Sequence, residues 1–226
     1  MKVSVVIPVY NEEKYIGYCL NSLVKQIVPP DEIIVVDNNC ADKTVEIAGR
    51  YPNVKIIQEK QQGMIYARNH GFNTARGDII ARCDADTILP TDWIKKIRAN
   101  FEEGKIDALT GPLVFNEFPI KGLFLVEAFL NVLKYLQHGK ETLIGPNMII
   151  TKKIWVKVKN KVCLDNKKVH EDIDLTIHIL QNGGTIYRDN TLIVQESARR
   201  IINNPLSFFV EYPLRIMSTF NRHAAR

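Results

Sequence analysis

What this 226-residue sequence lacks narrows the possibilities first. Its four cysteines, Cys19, Cys40, Cys83 and Cys163, lie far apart and include no C-x-x-C pair. That spacing suits neither a zinc framework nor a disulfide scaffold and points to reduced thiols. No window reaches about 18 uncharged apolar residues, so no membrane-spanning helix is expected. The opening "MKVSVVIPVY" runs straight into a strand pattern without a cleavable signal, which gives the expectation of a cytoplasmic protein. No basic stripe interleaved with aromatics occurs, and the net charge is only +5. That balance argues against a nucleic-acid partner, while it suits an anionic ligand or an acidic membrane surface. No repeat or low-complexity linker divides the chain, and 46% hydrophobic with 24% charged residues is ordinary globular composition, enough for a core.

The first half alternates between two patterns. Near-continuous apolar runs occur at 3–9, 32–37, 54–59 and 78–84, with helix-like segments at 12–27, 43–51, 63–75 and 91–103 between and after them. Such runs, rather than alternating ones, mark strands buried on both faces, so an α/β, doubly wound, mostly parallel sheet is expected. The second half is less regular. Strand candidates are 108–115, 146–150, 185–188 and 191–195; helix candidates are 122–138, 171–182 and 206–220. The halves read as a single domain in which the second completes the sheet.

Ligands of such sheets bind beyond the carboxyl ends of the strands. Here those ends are Tyr10-Asn11-Glu12, Asp37-Asn38-Asn39, Glu59-Lys60 and Asp84-Ala85-Asp86, all polar. Two like charges as close as Asp84 and Asp86 repel unless a cation lies between them. Hard carboxylate oxygens would select Mg²⁺ or Mn²⁺; alternatively the pair caps the helix that starts near Thr91. Asp37 could accept hydrogen bonds from a base or ribose, or serve as a cap, although Asp42 is better placed for capping. "GMIYARNHG" opens a helix at Gly63 and presents Arg68 a turn later, for a phosphate, an adjacent carboxylate or a surface pair. In "HEDIDLTIHIL", Ile173, Ile177 and Leu180 have helical spacing, so Glu171 and Asp172 fall in a first turn. Acidic residues favour that position through the helix dipole. They also fit a general base, provided that burial or a like-charged neighbour offsets the dipole.

Together "VSVVIPVYNEEKYIGYCLNSLVKQ", "DEIIVVDNNCADKT", "GMIYARNHGFNTARGDIIARCDADT", "GPNMIITKKIW" and "HEDIDLTIHILQNGG" resemble the family 2 glycosyltransferases, over about residues 1–200. The resemblance implies a GT-A fold, a Rossmann-like, mostly parallel central sheet flanked by helices in a single domain. Residues 1–105 would form the nucleotide-sugar-binding half and 106–200 the acceptor and catalytic half, followed by a basic, aromatic tail at 201–226. It implies an inverting transfer of sugar from a nucleotide-diphosphate-sugar donor to a hydroxyl of a glycan, lipid-linked or polyprenyl-phosphate acceptor. Carried over by position, Pro8, Tyr10, Glu12, Asp37, Asn39 and Gly63 would line the donor pocket, with Arg68 beside it. Asp84 would contact ribose or metal, and Asp86 would hold Mg²⁺ or Mn²⁺ on the diphosphate. Asp172 matches the base, with Gly145, Asn147 and Glu171 near the sugar or acceptor. Arg199 and Arg200 would clamp the diphosphate.

The sequence departs from the family pattern in three places. The segment "VKVKNKVCLDNKKV" lacks the Gly-Gly-Phe that many relatives carry before the acidic motif. The second-strand motif reads "DNNC", with Asp37 kept. No histidine lies near Gln195-Glu196-Ser197, where some relatives have a metal ligand, so no third protein ligand is named. The helix 122–138 sorts Glu127, Asn131, Lys134 and His138 to one face and Leu125, Phe129, Val132 and Leu136 to the other. That apolar face could pack on the core, on a second copy as an oligomer contact, or on a membrane interface. The tail pairs aromatics with Arg215, Arg222 and Arg226 and has no acid after Glu211, which suits an anionic membrane surface. Two rivals are a nucleotide-sugar-binding module without turnover and a nucleotidylyltransferase. Asp172 argues against the first. The second usually has a Gly-rich basic loop after strand one, where this chain reads "PVYNEE".

Overall fold

The computed structural model describes residues 1–165, 168–204, 206 and 210–224; for 119–123, 125, 200 and 224 it describes the backbone alone. The first half places β1 (Val3–Val9), β2 (Glu32–Asp37), β3 (Val54–Gln58) and β4 (Ile79–Arg82) side by side in the order β3-β2-β1-β4, all parallel. Every residue of β1 is buried. Val5, Ile7 and Val9 face the layer that contains helix α1 (Ile16–Val24). Val6 faces the opposite layer, with Phe72 of α3 (Met64–Thr74). Two covered faces explain why these strands show no polar alternation. The glycine at 71 lets α3 lie directly on the sheet, since a Cβ there would come within 2.3 Å of Val6 Cγ1 and 2.9 Å of Val36 Cγ2. The remaining helices of this half are α2 (Thr44–Ala48) and α4 (Trp93–Glu103). Asp42 lies one residue before the N-cap position of α2, which Lys43 occupies without a side-chain cap, and its carboxylate accepts the Thr44 N–H at 3.0 Å.

The second half completes the sheet, in the order β3-β2-β1-β4-β7-β5-β8, with β5 (Ala108–Thr110), β7 (Met148–Thr151) and β8 (Ile186–Arg188). β7 runs antiparallel to both β4 and β5. The single strand expected over 108–115 is two. After β5 the chain turns at Gly111-Pro112 and leaves the main sheet as β6 (Leu113–Phe115), which pairs in parallel with β9 (Val194–Glu196). A Cβ at Gly111 would meet Leu192 O at 2.1 Å, so the turn is too close-packed for any other residue.

Among the described residues the α-helices here include α5 (Pro119–Leu136), α6 (Lys152–Val158), α7 (Glu171–Gln181), α8 (Arg199–Asn203) and α9 (Tyr212–Ala224). The apolar pattern does not reveal α6, which starts where Thr151 Oγ1 accepts the Ile154 N–H at 3.1 Å. On α5 the buried face is Leu130 and Leu133, with Phe129 partly covered, whereas Val132, Tyr135 and Leu136 are exposed. The side chain of Leu125 lies outside the described residues. The expected apolar face is therefore split between core and solvent. Segment 201–226 contributes α9, whose Ile216 packs with Ile173 and Ile177 of α7 and Leu133 of α5. Residues 205, 207–209, 225 and 226 of that segment lie outside the described residues. Among the described residues, no helix is long and apolar enough to cross a membrane. All four cysteines are free thiols, although the fold brings Cys19 and Cys83 to within 3.9 Å, both fully buried.

Candidate active site

The carboxyl ends of β1, β2 and β4 open onto a cavity of about 250 Å³ lined by Pro8, Tyr10, Glu12, Asn38, Asp84 and Asp86, with Met64 and Ala67 of α3 on its wall. Tight turns deliver these groups. Asn11 and Asn39 adopt left-handed φ values of 55° and 68°, which asparagine tolerates better than most residues. Asn38 organises the rim: its Nδ2 donates to the carbonyls of Glu59 and Gln61, and its Oδ1 accepts the Gly63 N–H at 2.8 Å. Gly63 itself sits at φ 141°, where a side chain would be strained, so glycine is needed to enter α3.

The centre of the site is Arg82, the last residue of β4 and 2% exposed. Its guanidinium donates to Asp84 at 2.9 Å, to Asp172 at 3.1 Å and, most closely, to Glu171. Arg82 and Asp84 are two residues apart on an extended chain and so project to the same side. Glu171 and Asp172 reach them from the first turn of α7, and Arg68, fully buried on α3, holds the other oxygen of Glu171 and its backbone carbonyl. Asp172 also accepts the Gly145 N–H at 2.8 Å. A Cβ on Gly145 would lie 2.7 Å from Arg82 Nη2, so the residue must be small for the guanidinium to fit.

This wiring separates the two acids of α7. Burial, and then the Glu171 charge, raises the Asp172 carboxyl well above the ordinary carboxylate value. Burial acts on Glu171 in the same direction, but Arg82 and Arg68 outweigh it and hold Glu171 well below its ordinary value. Next to them, burial pushes His170 down to about 4, and its ring stacks edge-on against Tyr212 of α9 at 4.3 Å.

A second charged cluster lies at the mouth of the cavity. Arg199 donates to both oxygens of Glu12 at 2.6 Å and to Asp86 at 2.9 Å, and its guanidinium stacks over the Tyr15 ring at 4.3 Å. Asp84, Asp86 and Glu196, the last residue of β9, bring carboxylate oxygens within 4.8 Å of one another. All three donors are hard oxygens, as Mg²⁺ or Mn²⁺ requires, and the Arg199 cation already rests on one of them. The residues therefore fit a divalent ion. Glu196 is the third carboxylate that the sequence pattern did not name, in the place where a histidine was looked for.

The other candidate residues divide by position. Pro8, Tyr10, Glu12, Asp84 and Asp86 line the cavity. Asp37 accepts the Cys40 N–H at 2.8 Å and so braces the turn after β2. Asn39 ties that turn to the Lys60 carbonyl and to Gln62. The Arg68 guanidinium is directed at Glu171, the adjacent-carboxylate alternative, and not at the cavity. Asn147 is fully buried; its amide joins Trp93 Nε1 at 3.0 Å to the Leu192 carbonyl at 2.6 Å, which is a packing role. The side chain of Arg200 lies outside the described residues. Sequence reasoning missed Arg82 and Glu196 and named Asn38 only within the polar strand end Asp37-Asn38-Asn39; a lone arginine inside an apolar run was the available signal for the first.

Comparison with known proteins agrees with this geometry. Residues 4–155 match the family model described as Glycosyl transferase family 2. Glycosyltransferase AglE of Haloferax volcanii is 31% identical over 194 residues, 82% of this chain and 59% of that protein. The putative glycosyltransferase EpsH of Bacillus subtilis is 40% identical over 99 residues, 42% of this chain and 29% of that protein. This chain thus spans less than two thirds of either relative. The mannosyltransferase PcManGT from Pyrobaculum calidifontis, solved with GDP-Man and Mn²⁺, superposes with a TM-score of 0.80 at 19% identity, over 100% of this chain and 64% of that one. S. aureus TarS 1-349 in complex with UDP-GlcNAc gives a TM-score of 0.70 at 25% identity, over 87% and 58%. A mostly parallel sheet flanked by helices, carboxylates at its strand ends and these matches converge: the chain has the GT-A fold and belongs to glycosyl transferase family 2.

Proposed function

We propose that the protein is an inverting glycosyltransferase that uses a nucleoside-diphosphate sugar and takes Asp172 as its general base. The observation that carries this reading is the Arg82 guanidinium, which touches Asp84 and Asp172 together. One side chain thus links the diphosphate end of the donor pocket to the base, within the span of a single sugar ring. A base must hold protons near the working pH, and a carboxyl raised by burial and by Glu171 does so better than an ordinary aspartate.

In the proposed reaction the acceptor hydroxyl loses its proton to Asp172 as its oxygen bonds to the anomeric carbon. The bond from that carbon to the diphosphate breaks, and the nucleoside diphosphate leaves with the electron pair. A divalent ion held by Asp84, Asp86 and Glu196 would supply neutralisation of the charge on the diphosphate. Donor entry displaces Arg199 from Glu12 and Asp86, after which its guanidinium is positioned to close on the phosphates. The Mn²⁺ and nucleotide-sugar complexes of the similar folds support this donor class. We take the acceptor to be a hydroxyl of a glycan or a lipid-linked molecule. The exposed Val132, Tyr135 and Leu136 of α5 support docking to a lipid surface, which co-sedimentation with anionic vesicles tests.

A thermal-shift screen of UDP-, GDP- and dTDP-sugars with Mn²⁺ identifies the donor. Asp172→Asn should then bind that donor with wild-type affinity and transfer no sugar; an active variant refutes the base. Asp86→Ala should lose metal-dependent donor binding, and equal affinity with and without Mn²⁺ refutes its assignment.

A further inference from the structure

Away from the donor cavity, the seam between α7 and α9 is mostly apolar, built from Ile173, Ile177 and Ile216. Buried polar side chains interrupt it, and three of them form a cluster. Asp174 and His178 stand one helical turn apart on α7, 1% and 5% exposed, and His223 meets them from α9. Nothing in the proposed transfer uses them. We propose that Asp174, His178 and His223 form a zinc-class metal site that fastens α9 to α7.

The geometry is that of ligands sharing one ion. Both imidazoles direct Nε2 at the same carboxylate oxygen: His223 Nε2 lies 2.9 Å and His178 Nε2 3.7 Å from Asp174 Oδ1. The longer separation exceeds hydrogen-bond range. Bonds of about 2.0–2.1 Å to a tetrahedral ion place neighbouring ligand atoms about 3.3 Å apart, between the two observed values. All three ligand atoms lie within 4.8 Å of one another. The carboxylate is also oriented from behind, because Asp174 Oδ2 accepts the Cys163 N–H at 2.8 Å and leaves Oδ1 to face the rings. His223 Nδ1 is buried with no hydrogen-bond partner among the described residues, so Nε2 is the atom with which that ring meets a polar partner. Two imidazoles and one carboxylate suit Zn²⁺ or Co²⁺, in contrast to the all-oxygen set of Asp84, Asp86 and Glu196.

Such an ion has a consequence for the wall of the active site. α9 carries Tyr212, which packs on His170, and His170 immediately precedes Glu171 and Asp172. Fixing α9 therefore fixes the side of the cleft next to the base.

The test uses the full chain with Asp86→Asn, so that the oxygen site is weakened, after treatment with chelator and dialysis. Added Co²⁺ should give one equivalent of tetrahedral visible absorption, and Zn²⁺ at 100 times its Kd should raise Tm by about 5–10 °C. Adding His178→Gln and His223→Gln should abolish the band and weaken Zn²⁺ binding at least 100-fold, with far-UV circular dichroism unchanged. As a measurement that needs no ligand substitution, the Co²⁺ form should show two exchangeable, hyperfine-shifted imidazole N–H resonances. Absence of the Co²⁺ band and of the Zn²⁺ shift overturns the site, as does their survival in the double histidine variant. Cobalt-bound protein without the shifted resonances overturns it equally.

Discussion

Replacing Arg82 with methionine keeps a side chain of similar length in the core and removes its charge. In the wild type that charge faces Glu171, Asp172 and Asp84, whose side chains are only 12%, 10% and 10% exposed. Leaving a buried charge without its partner costs about 3–5 kcal/mol. At about 2–4 °C per kcal/mol for a chain of this size, Tm should fall by about 6–20 °C at pH 8, read by circular dichroism. The pH dependence has a definite sign. Arg82 helps hold Glu171 below its ordinary pKa, and such a group contributes stability that is present above the unfolded value and lost as pH falls through the folded one. The deficit of the variant should therefore be full at pH 7–8 and shrink in acid as Glu171 of the folded variant, no longer held down by Arg82, takes up its proton, since the unfolded chains titrate alike. Arg82→Lys should fall between the two, since one ammonium cannot reach three carboxylates as a planar fork does. A Tm loss under about 2 °C, or a deficit that stays constant from pH 8 to pH 3, would falsify the view of Arg82 as the hub of the site.

Further outcomes follow from the same geometry. Asp172 has a raised pKa, so its contribution is full below about pH 4 and is lost as pH rises through the raised value, at about 1.4 kcal/mol per pH unit. Asp172→Asn should accordingly flatten the wild-type decline of Tm above pH 4; equal slopes would contradict the raised pKa. Asn147→Ala strands Trp93 Nε1 and the Leu192 carbonyl, which should cost about 1–3 kcal/mol in urea unfolding while donor affinity by calorimetry stays within about twofold. Weakened donor binding at unchanged stability would instead support a sugar contact. Arg199→Met removes the cation that competes for Asp86, so Mn²⁺ without donor should bind more tightly and donor more weakly. Unchanged affinities for both would exclude Arg199 from the cleft.

The first half was legible because its physics is repetitive. Strands covered on both faces read as unbroken apolar runs, and the polar residues that follow them stand at the ligand edge, so β1, β2 and β3 lie almost where the pattern puts them. Side-chain direction was not legible. Asn147 and Arg68 belong to recognisable motifs, but only the packing of Trp93 and of α7 shows that their polar atoms meet protein groups. Arg82 resembled the end of an apolar run, because the carboxylates that neutralise it come from α7. Asp174 and His178 are visible at helical spacing in "HEDIDLTIH", while their third companion is on another helix, and no local pattern announces it.

The reach of Arg82 along the chain also sets the order in which the protein can mature. Asp172 follows Arg82 by 90 residues, and the strand that covers the open side of β4, β7, is likewise made later. At synthesis rates of about 5–20 residues per second, a nascent chain holds the β3-β2-β1-β4 sheet for roughly 5–20 s before α7 emerges. Until β7 emerges β4 presents a bare edge, and until α7 emerges Arg82 stands without its α7 partners. The newborn chain is then most open to mispairing with a neighbour. Pairing of β7 covers that edge. The later arrival of α7 brings Glu171 and Asp172 onto Arg82. Glu196 and Arg199 follow later still, so the carboxylates at the cavity gain their last partners at the end.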